Sequence, residues 1–330
     1  MRVLRARHLA ALLATLVATS AVAVRPGRAQ TPGGLPAYAP INPVVASRSG
    51  LYFQPFETPS ARRWRTTLTL DYASTIEYNQ RATSSVLLDS ELLRLGVGVV
   101  HPLSPRVFVR ADATLDGAYA GFLDGFLDWY HHLIGVRMPE REARPHDRFA
   151  YRLALPDGPV VDRRPSTLHL GDLRLGVGLR HGTQLQSLLS VTLPSATGPA
   201  GYGRGVPSAN LLETARFPLG SRFVYEGSVG VGVTPKHGPL APWQRAVFAS
   251  ASSGLRARLW GRQTVFANVW YGSPVYERTG LPALDRRELS LDFGWIHQGR
   301  DGREWKIGMT EDLEPSGPGV DLVFRVGGTF

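Results

Sequence analysis

Residues 320–330 read VDLVFRVGGTF. Val320, Leu322, Phe324, Val326 and Phe330 fall on one face of an extended strand, opposite Asp321, Val323, Arg325 and Thr329. Working outward, the same two-residue rhythm recurs. Leu289, Leu291, Phe293 and Trp295 oppose Glu288, Ser290, Asp292 and Gly294. Phe223, Tyr225, Val229, Val231 and Val233 oppose Glu226, Ser228, Gly230 and Gly232. Leu173, Leu175, Val177 and Leu179 oppose Asp172, Arg174 and Arg180, with a phase slip at Gly171 that predicts a bulge. Val107, Val109, Ala111, Ala113 and Leu115 oppose Arg110, Asp112 and Thr114. Leu93, Leu95, Val97 and Val99 oppose Arg94, and Trp64 to Tyr72 alternates likewise.

Arginines facing a closed apolar core would be costly, whereas a barrel with one face on lipid and the other on a polar lumen needs this alternation. The strand ending at Phe330 resembles the signal by which the barrel-assembly machinery recognises bacterial outer-membrane barrels, and Phe330 is its expected reading point. Predicted connections alternate between short links (101–105, 181–182, 218–221, 261–263, 298–302) and longer ones beginning near Ala73, Gly117, Pro194, Thr234, Gly272 and Thr310. With short turns periplasmic and long loops outside, the predicted fold is an all-β, antiparallel up-and-down transmembrane β-barrel of about twelve strands. Outer-membrane lipids are its expected surroundings.

Composition agrees. The chain has 330 residues, 43% of them hydrophobic, and no cysteine, so an exported fold must rely on its sheet and packing. Residues 1–29 read as a secretory signal peptide: Arg2, Arg5 and Arg7 precede the apolar run Leu9–Val24, with small-residue cleavage sites after Ala23 or Ala29. Its removal takes away five arginines and no acid, lowering the formal charge from +10 to +5. The remaining arginines are interspersed with acids, which disfavours nucleic-acid binding. Residues 30–62, with Pro32, Pro36, Pro40, Pro43 and Pro55, read as an extended periplasmic lead-in, and 63–330 as the barrel.

One stretch departs from the rhythm. Residues 121–135, GFLDGFLDWYHHLIG, place Phe122, Leu123, Phe126, Leu127, Trp129, Tyr130, Leu133 and Ile134 on one helical arc, and Asp124, Asp128, His131 and His132 on the other. This amphipathic helix lies in a long second outer loop, 117–165, that also holds a hairpin at Phe149–Val161 turning at Pro156, Asp157 and Gly158. Phe122, Phe126, Trp129 and Tyr130 are the expected docking face. They would pack either at the barrel mouth, the favoured placement, or on the outer leaflet. Asp124, Asp128, His131 and His132 are candidates for a ligand or divalent metal, although the helix dipole alone suits acids in the first turn and histidines in the last.

The runs GFLDGFLDWYHHLIGVRMPEREARPHDRFAYR (121–152), GDLRLGVGLR (171–180), VTLPSATG (191–198) and EDLEPSGPGVD (311–321) resemble a family of uncharacterised Gram-negative exported proteins, a domain of unknown function. The resemblance implies an outer-membrane β-barrel and transfers no activity. The family pattern carries Asp where this chain has Asn210, and this chain inserts Ser195 and Ala196 after Pro194.

No metalloprotease His pair, serine elbow or phosphate-cradling loop is present, and no cofactor is implied. The expected luminal polar set is Arg94, Arg110, Asp112, Asp172, Arg174, Glu226, Asp292 and Arg325. It fits a narrow channel or uptake porin for a small solute. The alternatives are a structural or adhesive barrel with a closed, salt-bridged lumen, and an envelope enzyme acting on lipid or lipopolysaccharide through Asp128 and a histidine.

Overall fold

The computed structural model describes residues 33–330 apart from 59–63, 134, 136–138, 143, 157, 159 and 315–316; residues 1–29, read above as a signal peptide, and the expected turn residue Asp157 lie outside that set. Among the described residues are fifteen strands: β1 (Arg65–Gln80), β2 (Ser85–Pro102), β3 (Val107–Tyr119), β4 (Ala150–Ala154), β5 (Val161–Asp162), β6 (Ser166–Leu170), β7 (Arg174–Arg180) and β8 (Leu185–Thr192). They continue as β9 (Ser208–Leu219), β10 (Phe223–Val233), β11 (Val247–Trp260), β12 (Gln263–Gly272), β13 (Glu288–Gln298), β14 (Glu304–Asp312) and β15 (Leu322–Thr329). Twelve of them, β1–β3 and β7–β15, each pair antiparallel with their neighbours and close into a barrel. The closing seam runs from Thr67↔Thr329 to Ser74↔Leu322, and Phe330 extends it by exchanging both backbone hydrogen bonds with Thr66. The predicted twelve-stranded antiparallel barrel is therefore the fold.

One end has five short turns, and four of them carry a glycine at positive φ: Gly182 (94°), Gly220 (69°), Gly261 (49°) and Gly302 (82°). Tight reversals need that backbone region, which only glycine enters without steric cost. The other end carries the long connections, with one correction. The first is only residues 81–84, because β1 and β2 pair without interruption from Arg65↔Val100 to Gln80↔Ser85. The Ser- and Thr-rich stretch after Ala73 is strand, and its exposed edge is covered where β4 pairs with the upper part of β2. The hairpin expected at Phe149–Val161 is present as β4 and β5. The slip at Gly171 is a break between β6 and β7.

The outward face is apolar and exposed, as at Leu68, Leu70, Val97, Leu175, Val177, Leu189, Val229, Val231, Ile307 and Val326. Aromatic residues gather at the turn end: Trp64 stacks on His101, Phe217 on Tyr225, and Trp305 meets Phe330 edge-on. An apolar belt bordered by aromatic residues is what a bilayer selects on a barrel's outside.

The lumen holds the main departure from expectation. Residues 33–58, expected as a lead-in outside the barrel, lie inside it. The segment rises from the turn end, where Leu35 N–H donates to Glu226 (2.6 Å), to a short helix α1 (Pro43–Ala46) at the loop end. There Asn42 donates to the carbonyl of Gly319 (2.9 Å) and to Glu77 (2.8 Å). It then descends, bridging back to itself at Tyr38↔Phe53, until Glu57 meets Gln186 and Arg180 at the turn end.

The physical cause lies in its composition. Leu35, Tyr38, Val44, Val45, Leu51, Phe53 and Phe56 all fall at or below 4% exposure, too much apolar surface to leave in water. Its closely spaced prolines offer few N–H donors but keep their carbonyls, so the wall supplies donors. Arg256 donates to Gly34 O (2.7 Å), Arg94 to Pro40 O (2.8 Å), Asn210 to Gly50 O (3.2 Å), Thr214 to Gln54 O (2.9 Å) and Gln186 to Pro55 O (3.1 Å). Above the plug, Leu240, Val275, Tyr276, Leu281 and Leu284 from the loops pack with Val44 and Val45 into one apolar cluster that reaches Phe248, Phe266 and Trp270 on the wall.

Candidate functional site: a charged path beside the luminal plug

The apolar cluster ties the plug to the β11–β13 side of the lumen. Against β1–β3 and β7 the mid-lumen lining is charged, and three cavities adjoin the plug: one there, one among the loops, and one reaching β9 and β13–β15 at the turn end. The loop-end cavity, about 330 Å³, is lined by Arg48, Arg163, Asp172, His237 and glycines of the 198–205 loop. The central one, about 160 Å³, is lined by Asp71, Arg94, Arg110, Asp112, Asp116, Arg174, Arg204 and Arg325 around Tyr52. The turn-end cavity, about 390 Å³, is lined by Arg65, Arg216, Asp301, Glu304 and Lys306. Asp172 borders both the first and the second, and Arg110 and Thr67 border both the second and the third. The Arg204–Asp172 and Arg110–Asp112 pairs therefore stand where neighbouring cavities adjoin.

All eight expected luminal residues face inward, because strand alternation fixes them opposite the lipid-facing row. Seven are in ion pairs: Arg94–Asp116 (2.9 Å), Arg110–Asp112 (2.5 Å), Arg204–Asp172 (3.2 Å), Arg216–Glu226 (3.5 Å) and Arg325 with both Asp71 (2.9 Å) and Asp292 (3.2 Å). Arg174 is the eighth and has no carboxylate partner among the described residues. Its guanidinium lies over the Tyr52 ring, 3.7 Å from the centroid, and Nη2 reaches Gly50 O at 3.4 Å. Asn210 is also engaged with the plug at Gly50 O. Sequence reasoning missed Arg48, Arg163, Arg204 and Tyr52. Their roles depend on the plug, and the apolar residues spaced between its prolines were the available signal.

At the loop end, Arg48 donates to the carbonyls of Thr234, Pro235 and Arg245 and contacts His237 Nδ1 at 3.2 Å. Burial, and then the adjacent Arg48 charge, hold the His237 imidazole below its ordinary value.

The predicted helix is α2 (Asp124–Leu133), framed by Gly121 (φ 76°) and Gly135 (φ 71°), the latter donating to His132 O as a C′ glycine does. It does not enter the mouth. Leu123 and Leu127 pack on Leu322 with Tyr72, Met309 and Phe324, which share the lipid-facing row with Val326, Ile307 and Leu70. The helix therefore lies against the outside of the wall at the loop end, the second of the two expected placements. Of the expected docking face, Phe126 meets Phe324, Tyr130 donates to Glu311 (3.0 Å) and Phe122 stacks on Tyr72, while Trp129 stays 59% exposed.

The polar arc is split. Asp124 is buried against Arg141 of α3 (Pro139–Glu142), which also donates to Asp321 (2.8 Å) and Ser74 (3.1 Å). His131 is buried beside Asp321 (3.3 Å), and the hydrogen bond to that carboxylate, outweighing burial, raises its imidazole above the ordinary value. Asp128 and His146 form an exposed pair (2.7 Å), and His132 Nδ1 meets the Asp128 carbonyl. Among the described residues no three such groups converge as a metal site.

A closed twelve-stranded barrel with a lipid-facing belt and a folded luminal segment has the architecture of an outer-membrane β-barrel. Residues 13–197, more than half of the chain, match the family described as protein of unknown function DUF3187, and the chain belongs to it. No curated protein matches its sequence. Among solved structures it is similar in fold to the COG4313 outer membrane channel from Pseudomonas putida F1, at 12% identity and TM-score 0.53, covering 84% of this chain and 98% of that one. Weaker likenesses include the translocator domain of autotransporter NalP from Neisseria meningitidis (10% identity, TM-score 0.43, 82% and 89% covered). The Pseudomonas putida toluene transporter TodX is another (10%, 0.39, 91% and 98%).

Proposed function

We propose that the protein is a narrow outer-membrane channel for small polar solutes, constricted by its own luminal hairpin. The observation that carries this is the row of three adjoining cavities beside the plug, joined at charged wall residues, where ion pairs can re-form with water or solute. A barrel whose role is structural would gain nothing from leaving charged space beside the plug while filling the rest of the lumen with Phe248, Phe266 and Trp270. Swelling of liposomes containing the purified protein, in small sugars and amino acids graded by size, tests it. Permeation by the smallest and exclusion of the larger is expected; no permeation by any solute, even after deletion of residues 33–58, refutes it.

The same reading includes export through cleavage of residues 1–29 and insertion by the assembly machinery at the β15 strand. Support for the latter is Phe330, whose backbone completes the seam with Thr66 and whose ring packs on Trp305. N-terminal sequencing of the membrane-extracted protein should begin at residue 24 or 30. Phe330→Ala should lower the folded, heat-modifiable fraction in outer membranes; an unchanged fraction argues against this recognition.

A further inference from the structure

The cavity linings divide their charges unevenly. Each of the six lining carboxylates, Asp71, Asp112, Asp116, Asp172, Asp301 and Glu304, is held by an arginine. Of the acids behind the lining, Glu57, Glu226 and Asp292 are also paired with arginines, while Glu77 and Glu288 accept from Asn42 and Tyr38 instead. Four lining cations have no carboxylate within ion-pair distance among the described residues: Arg48 and Arg163 in the loop-end cavity, Arg174 in the central one and Lys306 in the turn-end one. Among the described residues, each stage of the path thus has at least one lining cation outside an ion pair and no lining carboxylate outside one.

We infer that the path selects small anions, and in particular solutes bearing a carboxylate, with Arg174 as the central binding residue; this rests on the channel reading above. In a narrow lumen with low-dielectric walls, fixed charges focus the field, so an uncompensated cation at each stage favours anions along the whole route. Arg174 is built for more than screening. Its plane is fixed against Tyr52, its Nε has no hydrogen-bond partner although buried, and it borders the smallest cavity. A guanidinium held flat on an aromatic ring offers its N–H edge, which matches the two oxygens of a carboxylate. Arg163 Nε, in the loop-end cavity, is likewise a buried donor without a partner, one step nearer the loops. The arginine-rich, lysine-poor wall serves both needs, supplying forked donors to plug carbonyls and to a passing anion.

The test is ion selectivity of the full chain in planar bilayers under a potassium chloride gradient, with acetate as the carboxylate probe. The reversal potential is expected to take the sign of chloride permeation, acetate on one side should reduce the chloride current, and Arg174→Gln should lower the chloride-to-potassium permeability ratio severalfold and abolish the acetate effect. Heat-modified mobility on gels confirms that the variant is folded, and Arg163→Gln gives a second, independent variant with the same expected direction. A conducting protein that prefers potassium, or one whose selectivity and acetate response are the same in both variants as in the parent, overturns the inference while leaving the channel reading in place. No conductance in the full chain or in the variant lacking residues 33–58 overturns both.

Discussion

Replacing Arg141 by Met should free the outer-loop helix while leaving the barrel intact. The Arg141 side chain is 2% exposed and bridges Asp124 and Asp321, themselves 8% and 7% exposed, with Ser74 as a further acceptor. Removing one member of a buried ion pair costs about 3–5 kcal/mol, because the remaining charge is left without compensation. Here two carboxylates lose their shared arginine, leaving Asp321 with His131 and Asp124 with the Asp147 N–H (2.7 Å), and water entering as α2 lifts off the wall relieves the deficit. With each 1.4 kcal/mol worth about a factor of ten, the undocked population should rise between about a hundredfold and a few thousandfold. Limited trypsin digestion reads this directly, since Arg148 follows in the same loop before Phe149, and cleavage of a transiently open segment tracks its open population. Adding Asp124→Asn to Arg141→Met removes one of the orphaned charges and should restore part of the protection. If Arg141→Met resists trypsin as the parent does, or if the barrel itself loses heat-modified mobility, the assignment of Arg141 as the clasp of a docked external helix is wrong.

The helix should also loosen as pH rises. Because Asp321 raises His131 in the folded state, with Glu311 adding and Arg141 opposing, protonated His131 stabilises docking. That contribution is complete below the unfolded histidine value of about 6.5 and is lost as pH climbs through the higher folded value. Trp129 fluorescence should therefore shift above neutrality in the parent and stay flat in His131→Gln. In the lumen, Phe53→Ala removes a fully buried ring from the plug core at a cost of about 3–5 kcal/mol. Amides of residues 33–58 should then exchange faster while those of β9–β14 are unchanged; equal protection throughout would show that the plug is not an independently yielding unit.

The barrel was legible because lipid and lumen make opposite demands on alternate residues, and Leu68, Val177 or Val326 answer one while Asp71, Arg174 or Arg325 answer the other. The plug was hidden for a physical reason. Its order comes from donors on strands more than a hundred residues away, such as Arg256 and Thr214, so its own sequence has no period and its prolines read as absence of structure. The helix was found, but its environment was not. Asp124 and His131 look solvent-facing in isolation and are buried only because Arg141 and Asp321 come to meet them. Likewise the two-residue rhythm placed Arg174 in the lumen, yet its lack of a carboxylate partner follows from which neighbours the closed sheet brings beside it.

The central claim is that residues 33–58 constrict a path which the barrel otherwise keeps wide open. Single-channel conductance of the full chain, compared with a variant lacking those residues, tests it most directly. The account predicts a small conductance for the full chain and a large, stable step for the variant; equal conductances in the two would contradict it.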